Sequence, residues 1–260
     1  MEIKEVLLPL FGFLIGAFGT LAGIGGGVIT VPLLILAYSF ESRVAVGTSV
    51  AVVFLNATSG TIAYLAQKRV DLRVAIPFAI ATVPGAVSGI LLGKYISTGT
   101  FSFLFAILLI AVAAYLVIAK DRSSQSGGVR GISVAECDYS VNLRLGVIIS
   151  LGAGLLAGLF GIGGGVIHVP CMILILGIPV HISTATSHFV LAVTGSAASV
   201  TAIVEGSINI KYALLLGCGV IVGAQVGARI SKMVKGSTLR RVIAAALALL
   251  AVRLVISCLC

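Results

Sequence analysis

The chain has 260 residues, 59% of them apolar and 10% charged, with a mean hydropathy of +1.23 and a formal net charge of +9. A water-soluble domain is about half apolar and about a quarter charged, so this chain has too few polar groups to cover a soluble surface. Its 17 Lys and Arg are scattered over short connections, with no basic stripe interleaved with aromatics; that pattern excludes a nucleic-acid partner and reads as a topology signal for a bilayer.

Only helices and closed barrels satisfy the backbone inside lipid. Barrel strands alternate apolar and polar residues over about 10 positions, whereas the apolar runs here are long and unbroken. The expected class is therefore an all-α, multi-pass protein of the cell membrane. In chain order the N-terminus, MEIKEVLLPL, lacks a basic region leading to a small-residue cleavage site, and it reads as retained. Apolar stretches follow at residues 6–37, 44–66, 74–93 and 101–119. A polar segment, residues 120–144, separates them from a second set at 145–177, 183–204, 213–230 and 239–257. Most suit a single span of about 20 residues. The first stretch of each set is longer and is interrupted by glycines and by Pro32 or Pro170. Each is either one long kinked helix or two half-helices that enter and turn back, with the proline as a hinge. With no Trp present, an interfacial aromatic belt falls to Tyr38, Tyr64, Tyr95 and Tyr212.

The two sets are copies of one another. Residues 16–32 read GAFGTLAGIGGGVITVP and residues 154–170 read GLLAGLFGIGGGVIHVP, an offset of 138 positions. The same offset carries Thr48-Ser49 onto Thr186-Ser187, Asp71 onto Asn209, Gly85-Ala86 onto Gly223-Ala224, and Lys94 onto Lys232. The organisation expected is a first membrane repeat at 1–119, a linker at 120–144 and a second membrane repeat at 145–260.

Charge decides between the two readings of the first stretch. If it turns back, each repeat crosses three times and the repeats are inverted. Lys68, Arg69, Arg73, Lys120, Arg122, Arg130, Arg144, Arg229, Lys232, Lys235, Arg240 and Arg241 then share one side, twelve against five. If it spans, the split is ten to seven. The positive-inside rule favours inverted repeats with the linker in the cytoplasm.

Gly25, Gly26 and Gly27, with Gly163, Gly164 and Gly165, are the sharpest local signals. Glycine runs make a poor lipid-facing helix, and close helix packing is their bland explanation. A broken helix that presents backbone N–H groups and the positive end of its dipole to an anion is the functional one. No Lys-Ser/Thr follows and no strand precedes, so neither phosphate-loop nor dinucleotide motif applies. Thr48, Ser49, Thr186 and Ser187 offer hydroxyls to the same anion or to their own backbone. Asn56, Gln225, His168, His188 and Arg253 are the remaining polar groups in apolar stretches. Such groups default to function, with a histidine as a proton carrier or substrate contact and Arg253 as a counter-charge or a snorkelling side chain. Carboxylates fall only at stretch ends, and Cys137, Cys171, Cys218, Cys258 and Cys260 form no CxxC pair. No metal site, cofactor or enzymatic nucleophile is expected.

The duplicated GIGGG-x(4)-P element, with Thr-Ser opening the next helix, resembles the TauE/SafE family of sulfite exporters. The resemblance runs from about Leu7 to Ile256. It implies outward transport of sulfite or a related organosulfur anion, linked to a proton gradient. It places family motif positions at Gly25–Gly27, Pro32, Gly163–Gly165 and Pro170. The residues alone indicate a transporter with a mid-membrane, anion-suited site, and they leave open a passive anion channel or a cation or metal transporter. The partners expected are the bilayer and a small sulfur-containing anion; oligomeric state is not legible.

Overall fold

The computed structural model describes residues 6–118, 134 and 141–234, so most of the linker, the last apolar stretch and Arg253 lie outside the described residues. The described residues form an all-helical bundle: α1 (Leu8–Ala22), α2 (Gly27–Tyr38), α3 (Ser42–Ala66), α4 (Leu72–Gly93), α5 (Thr98–Ile118), α6 (Leu143–Phe160), α7 (Gly165–Leu174), α8 (Val180–Val204) and α9 (Ile210–Ile230). Five of them, α3, α4, α6, α8 and α9, are long and apolar enough to cross a membrane. Local sequence sets their starts. Asp71 Oδ1 accepts from the Arg73 N–H (2.9 Å) at the head of α4, and Asn209 Oδ1 accepts from the Tyr212 N–H (3.3 Å) at the head of α9. Each satisfies a donor that a helix start leaves open. The outer faces carry exposed Ile62, Ile80, Ile148, Val204 and Leu214, the opposite of a soluble surface and the match for lipid.

Glycine seams hold the bundle. Gly12 and Gly16 of α1 face the backbone of Leu216 and Val220, while Gly219, Gly223 and Gly227 of α9 face Pro9, Phe13 and Ala17. Gly85 and Gly89 of α4 likewise face Leu151 and Leu155, and Gly154 and Gly158 of α6 face Thr82 and Ala86. A methyl group at any of these positions would overlap a facing backbone carbonyl. Lipid gives no hydrophobic drive between helices, so such close backbone approach supplies the packing.

The registers also give directions. Numbers rise together along α1 and α9 and along α4 and α6, so each pair is parallel. Thr48 and Gln67 of α3 bond Asn209 and Ala228, at opposite ends of α9, so α3 and α9 run the same way. Asp71 and Thr82 meet Thr186 and Thr194 of α8, so α4 and α8 also agree. The central pair α3 and α8 is antiparallel, with Gly60 against His188 and Gly195 against Phe54. Each of α1, α3 and α4 therefore runs opposite to its counterpart at the 138-residue offset, α6, α8 and α9.

The first stretch is two half-helices. α1 ends beside Gly227, near the end of α9, whereas Tyr38 and Phe40, at the end of α2, pack on Tyr212 at its start (ring centroids 5.3 and 4.9 Å). The chain has turned back. The second set does the same: α6 ends beside Ala86, while Met172, Leu176 and Ile178 rejoin Val70 and Val74 at the start of α4. One expectation fails here. Tyr64 is not an interfacial aromatic but is fully buried, its hydroxyl donating to the Thr20 carbonyl (2.8 Å).

Candidate functional site

The two glycine breaks meet at the centre of the bundle. Gly23 ends α1 at φ 77°, and Gly25 and Gly26 follow at 85° and 84°. Gly161, Gly163 and Gly164 repeat the path at 70°, 75° and 81°. Positive φ is costly for any residue with a Cβ, which explains three glycines in each motif. The fourth has a different reason. Gly27 faces the Gly161 carbonyl and Ile162, and Gly165 faces the Gly23 carbonyl and Ile24, so the two breaks touch reciprocally. Val53 and Leu191 wedge against both Gly25 and Gly163.

The Thr-Ser pairs fasten this crossing. Ser49 Oγ donates to the Gly161 carbonyl (2.8 Å) and Ser187 Oγ to the Gly23 carbonyl (3.0 Å). Thr48 Oγ1 accepts from the Asn209 N–H (3.0 Å) and Thr186 Oγ1 from the Asp71 N–H (3.1 Å). All four side chains are fully buried, and all four bonds join the two sequence-related sets.

Where α2 begins, the N–H groups of Gly26, Gly27 and Val28 have no acceptor in the preceding turn of that helix. Asn56 looks toward this end: its Nδ2 lies 3.7 Å from where a Cβ on Gly26 would stand. Its Oδ1 is taken by the Thr20 hydroxyl (2.9 Å), and its Nδ2 has no partner among the described residues. One turn along α3, Gly60 makes room for His188; a Cβ there would stand 3.2 Å from His188 Nε2 and 3.1 Å from Thr20 Cγ2. Thr20 and His188 thus border the same space at Gly60, and Tyr64 lies with its ring against the His188 imidazole (5.3 Å, edge-on).

The two histidines differ in hydrogen bonding. His188 Nδ1 lies 3.2 Å from the Thr184 carbonyl. A carbonyl only accepts, so Nδ1 carries a proton, and in the neutral ring Nε2 is a bare acceptor. That Nε2 is buried without a partner among the described residues. His168 Nδ1 likewise donates to the Gly164 carbonyl (3.1 Å), but its Nε2 meets Ser150 Oγ (3.2 Å) and its ring stacks on Phe78. His168 is satisfied; His188 is not. A buried polar atom left unpaired costs about 1–3 kcal/mol, and Asn56 Nδ2 and His188 Nε2 both carry that cost among the described residues.

The structure brings together Gly25, Gly26, Gly27, Gly163, Gly164, Gly165, Ser49, Ser187, Asn56 and His188. Gln225 stands apart, donating to the Ser59 carbonyl and hydroxyl (2.7 and 2.9 Å). Pro32 and Pro170 are buried inside α2 and α7, on the far side of the breaks from α1 and α6. Thr20, Gly60 and Tyr64 were missed. An i, i+4, i+8 row of Asn56, Gly60 and Tyr64 was the available signal.

A lipid-facing helical bundle with two interrupted helices meeting at its centre has the build of a multi-pass membrane transporter of the cell membrane. The chain belongs to the Sulfite exporter TauE/SafE family, whose model matches residues 8–254. It is 32% identical to the probable membrane transporter protein YunE of Bacillus subtilis over 264 residues, 96% of this chain and 97% of that one. A probable membrane transporter protein of Methanocaldococcus jannaschii is 32% identical over 253 residues, 90% of each chain. A third, ORF9 of a Sinorhizobium species, is 28% identical over 225 residues, 86% of this chain. No solved structure matches.

Proposed function

We propose that this protein is a secondary transporter that exports sulfite or a related small sulfur-containing or organosulfonate anion by alternating access, coupled to the proton gradient. The observation that carries the reading is the helix start at Gly26–Val28, faced by the buried Asn56 Nδ2, which has no partner among the described residues. Donors without full charges suit an anion, because they lower its desolvation cost without a buried counter-ion. Gly25, Gly26 and Gly27 form the cradle with Asn56. Gly163, Gly164 and Gly165 back it from the other set. Thr48, Ser49, Thr186 and Ser187 hold the two breaks in register, because their hydroxyls are already engaged across the crossing.

His188 supplies the proton coupling. A proton arriving on Nε2 turns a bare acceptor into a donor toward the anion. His168 and Gln225 keep supporting roles. The opposite directions of α1, α3 and α4 relative to α6, α8 and α9 support inverted repeats at 1–119 and 145–260, with linker 120–144 on the cytoplasmic side. Pro32 and Pro170 then mark hinges about which one repeat rocks against the other. The site contains no paired nucleophile and base, which favours carriage over catalysis.

The test is efflux from proteoliposomes loaded with sulfite, thiosulfate, sulfate or sulfoacetate, with and without a pH gradient. Saturable flux of a sulfur anion that rises with the gradient and is lost in Asn56→Asp supports the reading. Non-saturating flux indifferent to the gradient would mean a channel instead.

A further inference from the structure

The central helices α3 and α8 are antiparallel, so the bundle has two ends built from sequence-equivalent positions, and the two ends are not alike in charge. At one end Arg43 and Lys94 both reach Glu205 (3.3 and 3.5 Å), and Arg43 also donates to the Glu205 backbone carbonyl (2.7 Å). Cations there have a built-in carboxylate, and all three side chains are part-exposed, at 42%, 32% and 23% for Arg43, Lys94 and Glu205.

At the other end the 138-residue offset puts Gln67 where Glu205 stands and His181 where Arg43 stands. The carboxylate has become an amide, yet a cation remains. Arg69, in the turn between α3 and α4, is only 2% exposed. Its guanidinium donates to Gln67 Oε1 (3.0 Å), Ser231 Oγ (2.9 Å) and the His181 carbonyl (3.1 Å), meets His181 Nδ1 (3.1 Å), and lies over the Tyr64 ring (5.1 Å). Among the described residues every partner is neutral or aromatic, Nε has no partner, and none of the ion pairs involves Arg69. The nearest acid in sequence, Asp71, gives Oδ1 to the head of α4. Exposed Lys68, Arg73, Arg229 and Lys232 stand on the same turn and on the adjoining end of α9, adding to the positive field.

Burial pulls the Arg69 pKa below its usual value, with Tyr64 acting the other way. Arginine nevertheless stays protonated in proteins. A buried cation with several neutral acceptors and no counter-ion among the described residues is costly to hold, and the cheapest relief is an anion that brings its own charge.

We propose that Arg69, with Gln67, His181 and Ser231, is an oxyanion-binding site at one mouth of the bundle. The fork-shaped guanidinium suits a planar or tetrahedral oxyanion, for which the neutral acceptors are weak substitutes. An arriving anion exchanges with Gln67 and Ser231, and because Arg69 ties the end of α3 to the ends of α8 and α9, that exchange loosens the mouth. The site's role as the entrance of the transport path rests on the function proposed above; its anion binding does not.

The experiment is the thermal midpoint of the full-length purified protein against sulfate at constant ionic strength, with chloride and gluconate as other arms and phosphatidylglycerol as a lipid arm. Sulfate is expected to raise the wild-type midpoint saturably. Gln67→Glu rebuilds the carboxylate present at the opposite end; it is expected to fold, to show a raised midpoint without sulfate, and to lose the sulfate response. Arg69→Gln is expected to weaken the apparent affinity by about tenfold to a hundredfold, the worth of hydrogen bonds to a charged group. Arg43→Gln, at the opposite end of the bundle, is expected to keep the response. An unchanged response in Gln67→Glu overturns the proposal, as does stabilisation by phosphatidylglycerol alone. A response lost in Asn56→Ala but kept in Gln67→Glu overturns it while leaving the central site standing.

Discussion

The two glycine breaks share one backbone and differ in what faces it. Around the first, Asn56 and His188 hold polar atoms with nothing to bond among the described residues. Around the second, the position equivalent to Asn56 is Thr194, which bonds Thr82 (2.6 Å) and the Val190 carbonyl, and His168 fills the space where the first repeat has Thr30. Duplication built a symmetric frame, and side-chain divergence left polar atoms unmet beside one break and paired them beside the other. Backbone symmetry therefore does not carry hydrogen-bond symmetry with it.

The comparison breaks most visibly at Gly27 and Gly165. Substitution of either by Val drives a side chain into the backbone of the opposite break. Overpacking costs about 1–3 kcal/mol and sometimes more, and with backbone as the obstacle the upper end is expected. Both variants should lose the monodisperse peak on size exclusion, whereas Gly99→Ala, with open space around it, should behave as wild type.

A smaller effect separates the two breaks. Asn56→Asp places a carboxylate at the first helix start and should weaken anion binding by about a hundredfold, equivalent to about 2.7 kcal/mol. Thr194→Val, at the second, should leave affinity within about twofold while lowering stability by about 1 kcal/mol. Isothermal titration with the transported anion and thermal unfolding measure the two. Equal losses of affinity would mean that both breaks bind.

The histidines sharpen the contrast further. His188→Phe removes a group with an unmet bond, so the thermal midpoint should hold or rise while gradient-driven flux is lost. His168→Phe strips partners from Ser150 and Gly164 and should cost about 1 kcal/mol, with the dependence on the gradient kept. The smallest effect belongs to Ser49→Ala and Ser187→Ala. Each frees one carbonyl at the crossing, and each should cost about 0.6 kcal/mol, the mean for side-chain bonds between membrane helices. Near-equality of the two is the expected signature of the shared frame.

Much of this is legible in the sequence alone. Composition alone demanded lipid as solvent, because 59% apolar residues cannot be hidden by 10% charged ones. The fixed offset announced the duplication, and the glycine runs marked where the helix must break, since left-handed backbone excludes other residues. Asn56 and His188 stood out as polar groups in apolar runs.

Partnering was not legible. Thr48-Ser49 and Thr186-Ser187 had hydroxyls that fit an anion equally well on paper, and only the crossing of the two sets commits them to Gly161, Gly23, Asn209 and Asp71. Tyr64 looked like a residue of the lipid interface until α1 was seen to cover it. His168 and His188 were equivalent as letters, and a single neighbouring serine from α6 distinguishes them. Burial and periodicity are properties of a segment and its solvent, which one chain's residues specify by themselves. The Thr-Ser hydroxyls find their partners 112 to 164 positions away, and those are set only when the two repeats close on each other.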